Sequence, residues 1–408
     1  MSAKDMLRAA AVAGMLFTSS EDSAFPQDWV QTSAPVTNWS SIAMSADGTK
    51  MVASVAGGAI YISNDSGHQW INSSAPSTNW SYVASSADGN TLAAAVSLGA
   101  TGCLLFMSTN AGMTWVQSDI SEPIWPPLAM SGDGNRLSAV SAWDYGRLLY
   151  TSTNSGVTWT FTNSPNIMTT SIASSADGNR LVLGGAWSND GWVYISTNSG
   201  LTWILTGVTN RPNRSVASSA DGRTLMAQMD YQWLLQNVFI STNGGKTWSA
   251  ADLPHSDPGW GIACSMDGST FVAAGIKTTP PSGIVRHFYI SRDSGVSWSS
   301  ATPPATNKFF GFATSTDGKR IAACVVGGGI YTSQTTPKPV LNLTLSDSGF
   351  LISWIVPSMP FVLQENADLT TTNWTDVPTM PILDFTNLHH KVCVPLSSAY
   401  RFYRLKGL

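Results

Sequence analysis

Charge is scarce in this sequence: Lys, Arg, Asp and Glu make up 11% of the 408 residues, and the formal net charge is -4. No basic surface for nucleic acid follows from that balance, and no block of like charge suggests an interaction tail. Glutamate occurs only at positions 21, 122 and 365, so aspartate supplies nearly all the carboxylates. No apolar run approaches the roughly 20 residues that cross a bilayer as a helix, which argues against membrane insertion. Cysteine is equally sparse. Cys103, Cys264, Cys324 and Cys393 stand far apart without metal-type spacing and read as packing thiols, a bridge between Cys264 and Cys324 being the alternative. With no Gly-rich phosphate loop and no His cluster, neither a cofactor nor a metal is expected; His389 and His390 adjoin a turn and read as solvated.

What is plentiful is Ser, Thr, Asn, Gly and, with 17 residues, Trp. That composition suits a secreted β-protein better than a cytosolic enzyme. Residues 1–25 place Lys4 and Arg8 ahead of the apolar run Ala9 to Phe17 and then a polar stretch. This is similar to a secretory signal, the alternative being a leader without a targeting role.

Two short patterns alternate along residues 26–336. The first, Ser-x-(Asp/Asn)-x-Gly-x-(Thr/Ser/Gln)-Trp, closes at Trp70, Trp115, Trp159, Trp203, Trp248 and Trp298. Each copy follows an alternating strand such as Val193-Tyr194-Ile195. Its Asp or Asn is expected to accept backbone hydrogen bonds two residues on, and its Gly to supply a positive φ, so each copy reads as a tight hairpin corner, here called a Trp corner. The second pattern, Ser-x-Asp-Gly, has its Asp at 47, 88, 133, 177, 221, 267 and 317, flanked by apolar runs. The spacing is in the forties with two corners per period. That leaves room for four short strands per unit, the signature of a propeller blade, and seven Asp-Gly corners predict seven blades.

The Trp corners are one short of that number, and the chain ends explain why. Gly329-Ile330-Tyr331-Thr332-Ser333-Gln334 leaves the pattern before any Trp arrives, whereas Asp28-Trp29-Val30-Gln31 matches Gln69-Trp70-Ile71-Asn72 without a preceding corner. The N-terminal strand is therefore expected to complete the last blade and close the ring.

The Trp corner resembles the Asp-box, or bacterial neuraminidase repeat, of sialidases, xyloglucan-degrading glycosidases, sorting receptors and photosystem assembly factors. The resemblance covers about residues 26–336 and implies a β-propeller whose corners are architectural and lie away from the active face. Positions 110, 154, 198 and 243 carry Asn, and only Asp65 and Asp293 keep the acid. Past the Pro-rich joint Thr335 to Pro339, residues 337–408 carry short alternating strands with Trp354 on the second, predicting a small β-sandwich. Its closing pattern resembles the fibronectin-type C-terminal module of large secreted bacterial proteins, which implies a spacer or attachment point. The fold class is thus all-β: a seven-bladed β-propeller with N-terminal strand closure, then a small β-sandwich.

With strands counted outward from the axis, the Asp-Gly corner joins first to second and the Trp corner third to fourth, so both lie on one face. The opposite face holds the second-to-third hairpins and the blade-to-blade loops, where the sequence is least repetitive and a site is expected. The hairpins are minimal at Ala56 to Ala59 and Val326 to Gly329. In the middle blades they carry Trp143, Asp144 and Tyr145, then Trp187, Asp190 and Trp192, then Asp230, Tyr231 and Trp233, followed by a longer loop from Lys277 to Arg286. Aromatic planes beside polar acceptors suit a sugar, whose C–H face packs on a ring while its hydroxyls hydrogen-bond. The blade-to-blade loops add Trp39, Trp80, Trp125, Trp260 and Phe310 at related positions; the four tryptophans, just before inner strands, read as wedges between blades, ligand contact being the alternative.

A sialidase needs an arginine triad for the substrate carboxylate and a Tyr–Glu nucleophile pair. Here the only Arg before Ser63 is Arg8, which argues against that activity. A glycoside hydrolase using two of Asp144, Asp190, Asp230 and Asp257 stays open, since it needs only paired carboxylates about 5–10 Å apart. The arginine-rich patches of the photosystem relatives are lacking too. The reading is a monomeric, non-catalytic binding module for a glycan or a protein surface.

Overall fold

The structure, a computed structural model, describes residues 29–98, 103–120, 124–141, 148–165, 167–187, 190–209, 213–229, 238–251, 253, 257–279, 283–301, 309–334, 341–346, 349–355, 361–368, 370–371, 373–386, 388–395 and 401–407. Among these residues there are strands and turns but no helix. The chain winds into successive four-stranded antiparallel meanders. The first unit comprises Thr37–Met44, Met51–Val55, Ile60–Ser63 and Ile71–Asn72. The inner strands of the next five are Trp80–Ser85, Ile124–Met130, Met168–Ser174, Asn213–Ser218 and Asp257–Cys264.

The closing unit takes three strands from the end of this series, Phe309–Thr314, Arg320–Gly328 and Ile330–Gln334, and its outer strand from the front of the chain. Trp29 pairs with Ser333, Val30 with Thr332 and Gln31 with Tyr331. Trp29 meets Phe288 of the sixth unit edge to face, at 4.8 Å between ring centroids, and packs on the cluster between the sixth and closing units. Corner tryptophans such as Trp115 and Trp248 do the same between earlier units.

The core lies between units rather than within a single sheet. Val52, Ile60 and Ile62 of the first unit pack on Trp80, Val83 and Leu92 of the second. Faces that converge on an axis leave little room near it, and the second strands answer with alanine: Ala53, Ala93, Ala139, Ala227, Ala273 and Ala323 are completely buried. The corner tryptophans fill the wider gap at the periphery.

Each Asp-Gly corner is saturated by its own side chains. In the first, Ser45 Oγ donates to Asp47 Oδ1 (2.6 Å), as does the Thr49 amide (2.9 Å), and Gly48 turns the chain at φ 69°. Backbone amides of successive corners then link around the axis. Ala46 N donates to Ala87 O, Ala87 N to Gly132 O, Gly132 N to Ala176 O, Ala176 N to Ala220 O, and Ala220 N to Met266 O. Asp267 N donates to Thr316 O, and Thr316 N returns to Ala46 O at 2.7 Å, closing the circle.

The Trp corners correct one expectation. Their Asp or Asn oxygen accepts from the amide four residues on, as Gln69 N to Asp65 Oδ1 (2.8 Å) and Thr114 N to Asn110 Oδ1 (2.9 Å), not two. The extra reach follows from two consecutive left-handed residues, such as Ser66 (φ 66°) and Gly67 (φ 87°), which widen the turn. Asn replaces Asp without loss, because the bonds from the backbone amide need only one oxygen; the Asn110 amide itself donates to Thr114 Oγ1 (2.8 Å).

Cys264 and Cys324, in adjacent units, are free thiols. Burial pushes the Cys324 thiol up to about 12.

After the closing unit come two small sheets. One holds Asn342–Ser346, Gly349–Ile355, His389–Val394 and Ile382–Asp384; the other holds Thr375–Asp376, Phe361–Asn366 and Phe402–Gly407. Ile352, Trp354, Val392 and Val394 from the first meet Leu363 from the second in one apolar cluster. His390 is not a solvated turn residue. Strand pairing sets it opposite Trp354, with ring centroids 5.5 Å apart, and burial lowers its pKa against the opposing charge of Asp47.

Candidate functional site

Both kinds of corner lie on one face and are joined there: Ser66 N donates to Thr49 O, Ala111 N to Asn90 O, Ser155 N to Asn135 O and Ser199 N to Asn179 O. The second-to-third hairpins and the connections between units therefore share the other face, as the strand order requires. Carboxylates of the corner face are tied up locally. Burial pushes the Asp133 carboxyl up, but hydrogen bonds from Ser131 Oγ and from the backbone and side-chain amides of Asn135 outweigh it and hold the group below its usual range. Asp88 and Asp177 behave alike, with Lys50 and Arg180 adding to the depression. An acid held this way is a turn device and is poorly placed for proton transfer.

On the opposite face the hairpins differ from unit to unit. In the first, Ala56 to Ala59 make a tight reversal in which Gly58 N donates to Val55 O and Gly57 stands at φ 73°. In the fourth, strands Leu181–Trp187 and Asp190–Ser196 run to a terminal pair of Trp187 with Asp190. The sixth departs from expectation: the stretch from Lys277 to Arg286 is largely paired strand, with Ile276 opposite Arg286 and pairing out to Thr279 with Gly283. A β-hairpin arm stands there, because alternating residues on both sides of the turn extend the ladder.

Of the predicted ligand residues, Trp192 is placed most fully. It pairs with Gly185 and Thr209, and its half-buried ring packs on the cluster of Val140, Leu149, Ile167 and Leu183 between the third and fourth units. The backbones of Trp187 and Asp190 are described, but their side chains are not. Trp143, Asp144, Tyr145, Asp230, Tyr231 and Trp233 lie outside the described residues.

The inner-strand aromatics split. Trp39 and Trp80 are wedges, 1% and 0% exposed, each edge-on to an aromatic of its own unit, Tyr61 and Phe106 respectively. Their register position, just before a bulge, is held by Trp125 in the third unit, Thr169 in the fourth, Asn213 in the fifth and Phe309 in the closing unit. Trp260 and Phe310 fall inside the bulges of their units, so they are not equivalents of Trp39, as their placing at related positions had implied. A bulge inserts residues into the strand, so an aromatic near the same place in each unit need not occupy the same register.

Thr169 and Asn213 are a feature the residue pattern did not single out. They replace large apolar wedges by small polar side chains, and Thr169 Oγ1 and Asn213 Oδ1 are buried without a protein partner among the described residues. Gly184 makes room for Asn213: a Cβ there would lie 2.0 Å from Asn213 Oδ1. Counting back from each Asp-Gly corner would have exposed this substitution of Trp by Thr and Asn.

No protein-family model matches the chain, and no curated protein sequence does. Solved structures do. The GH74 xyloglucanase of Xanthomonas campestris aligns with a TM-score of 0.56 at 15% identity, over 81% of this chain and 60% of that one. The GH74 enzyme of Niastella koreensis aligns at 0.58 and 14%, over 80% and 59%. YCF48, in a structure bound to a D1 peptide, aligns at 0.56 and 14%, over 77% of this chain and 98% of that one. The chain thus spans about three-fifths of the GH74 enzymes. At these identities the likeness shows the fold, a β-propeller.

Proposed function

We propose that this chain is a seven-bladed propeller (26–336) closed by its own N-terminal strand and followed by a β-sandwich (337–408), acting as a monomeric, non-catalytic binding module of the bacterial surface or exterior. The face opposite the corners, in blades three to six, takes a glycan or a protein surface. Residues 1–25 serve as the export signal in this reading. One observation carries it: the corner face has its polar side chains bound to its own backbone, as in Asp47 and Asn110, while the other face varies from a tight reversal in the first unit to an extended arm in the sixth. Variable loops on a fixed frame are where binding specificity resides. The peptide-bound state of YCF48 shows a propeller of this fold engaging a protein segment.

Trp143, Tyr145, Trp187, Trp192, Tyr231 and Trp233 supply aromatic surface in this reading, with Asp144, Asp190 and Asp230 as polar partners. Replacing Trp143, Trp187 and Trp233 together by Ala should leave the melting temperature nearly unchanged and abolish binding on glycan and peptide arrays. Loss of stability with binding intact would assign those rings to the core and sink the reading. A second reading, glycoside hydrolysis, draws on the GH74 likeness. It requires reducing-sugar release from xyloglucan that disappears in Asp144→Asn or Asp190→Asn.

A further inference from the structure

The residue between Ser and Asp in each Asp-Gly corner points to the axis on the corner face. It is Ala46, Ala87, Ala176 and Ala220 in four units, Met266 in the sixth and Thr316 in the closing one. The third unit breaks the series with Gly132, although Gly132 does not adopt a positive φ and needs no glycine for its backbone. An added Cβ there would lie 3.2 Å from the carbonyl oxygen of Phe385, in the C-terminal unit, and 3.3 Å from that of Ala176 in the next unit. Three residues on from Phe385, Leu388 is completely buried among Ala46, Ala87, Ala176 and Ala220, with Met266, Leu383 and Phe385 beside it. Those partners come from five units around the axis, so Leu388 sits at the centre of the circle of backbone hydrogen bonds.

The tip that carries Leu388 is stiff before it reaches the socket. Asp384 Oδ1 accepts from Thr386 N (2.9 Å) and Thr386 Oγ1 (2.6 Å), Lys391 pairs with the same carboxylate, and Leu388 itself is held at φ 54°. Strand pairing of Leu383 with His390 and Asp384 with His389 fixes the base of the tip. The charge of Asp47, in the first unit, reaches His390 on the adjoining strand.

We propose that the C-terminal unit is a stopper rather than a spacer: the tip that carries Phe385 and Leu388 closes the corner-face end of the propeller axis, with Leu388 as the plug and the ring of small corner residues as the socket. Three consequences follow. With Leu388 seated, a ligand approaches the axis only from the loop face. The C-terminal unit and the propeller melt together. Gly132 marks the footprint of the tip within an otherwise repeating motif.

Hydroxyl-radical footprinting of the full wild-type chain tests the seat directly. Leu388 should stay unlabelled while Leu201 and Leu345, 67% and 59% exposed, are labelled. Labelling of Leu388 on a par with Leu201 would overturn the proposal. Calorimetry and small-angle scattering then test the coupling. The wild-type chain should show one transition, whereas Leu388→Asp and, from the socket side, Gly132→Val should each split it in two and lengthen the particle. One unchanged transition and unchanged scattering in both variants would equally overturn it. Should Leu388→Asp fail to fold, the wild-type footprint still decides.

Discussion

The two faces of the ring both receive chain reversals from the meander and treat them oppositely. On the corner face, Ser, Asp and Asn side chains complete their own turns, glycines accept positive φ, and amides of one unit meet carbonyls of the next. On the loop face, the hairpins range from the minimal Gly-Gly reversals of the first and closing units to the extended arm of the sixth. The lesson is about where variation is tolerated. A corner whose side chains satisfy buried backbone groups cannot change without leaving a donor or acceptor unpaired. A hairpin facing water can.

The sharpest test of the difference between buried frame and binding face is to truncate one tryptophan of each. Trp80 is fully buried against Phe106 and the inter-unit cluster, so Trp80→Ala should cost about 3–5 kcal/mol in denaturant unfolding. Trp187→Ala on the loop face should stay within about 0.5 kcal/mol. Equal losses would erase the distinction between frame and binding face.

Acid sharpens the comparison within the corner face. The Asp133 carboxyl has a folded pKa below its unfolded value, so its contribution is present above about pH 4 and fades as pH falls through the folded value. Asp133→Asn should therefore lower stability at neutral pH, by under about 1 kcal/mol given partial solvent screening, and the difference should shrink as pH falls through the folded value. Asn154→Ala in a Trp corner should instead cause a loss that does not change with pH over this range. Unfolding midpoints measured across that range separate the two.

The smallest effect concerns strain. Ala111 sits at φ 55° where the fifth unit has Gly244 at φ 71°. Ala111→Gly should stabilise slightly, by less than about 1 kcal/mol, since relief of the left-handed strain exceeds the added chain entropy. A clear loss of melting temperature would show that the turn tolerates Ala for another reason.

Much of the frame was legible because its signals are local. Corners repeat as short strings whose turn chemistry is contained in the string, and Trp29 repeats Trp70 closely enough to reveal the borrowed strand. Errors arose where one residue of register decides the outcome. Trp260 and Phe310 sit in bulges, and the Trp corner hydrogen bond spans four residues because Ser66 joins Gly67 in left-handed geometry. The loop face was legible only as irregularity, since nothing in Trp187 or Asp190 says which neighbours they meet.

From the amino-acid string alone came the alternation of strands, the two corner chemistries and the closure of the ring, because each depends on contacts between residues near in sequence or copied between repeats. Only the tertiary structure decided that Leu388 is buried among the corner alanines and that Gly132 meets the backbone of Phe385. Those contacts join residues hundreds of positions apart, and an apolar turn residue carries no mark of the surface that will cover it.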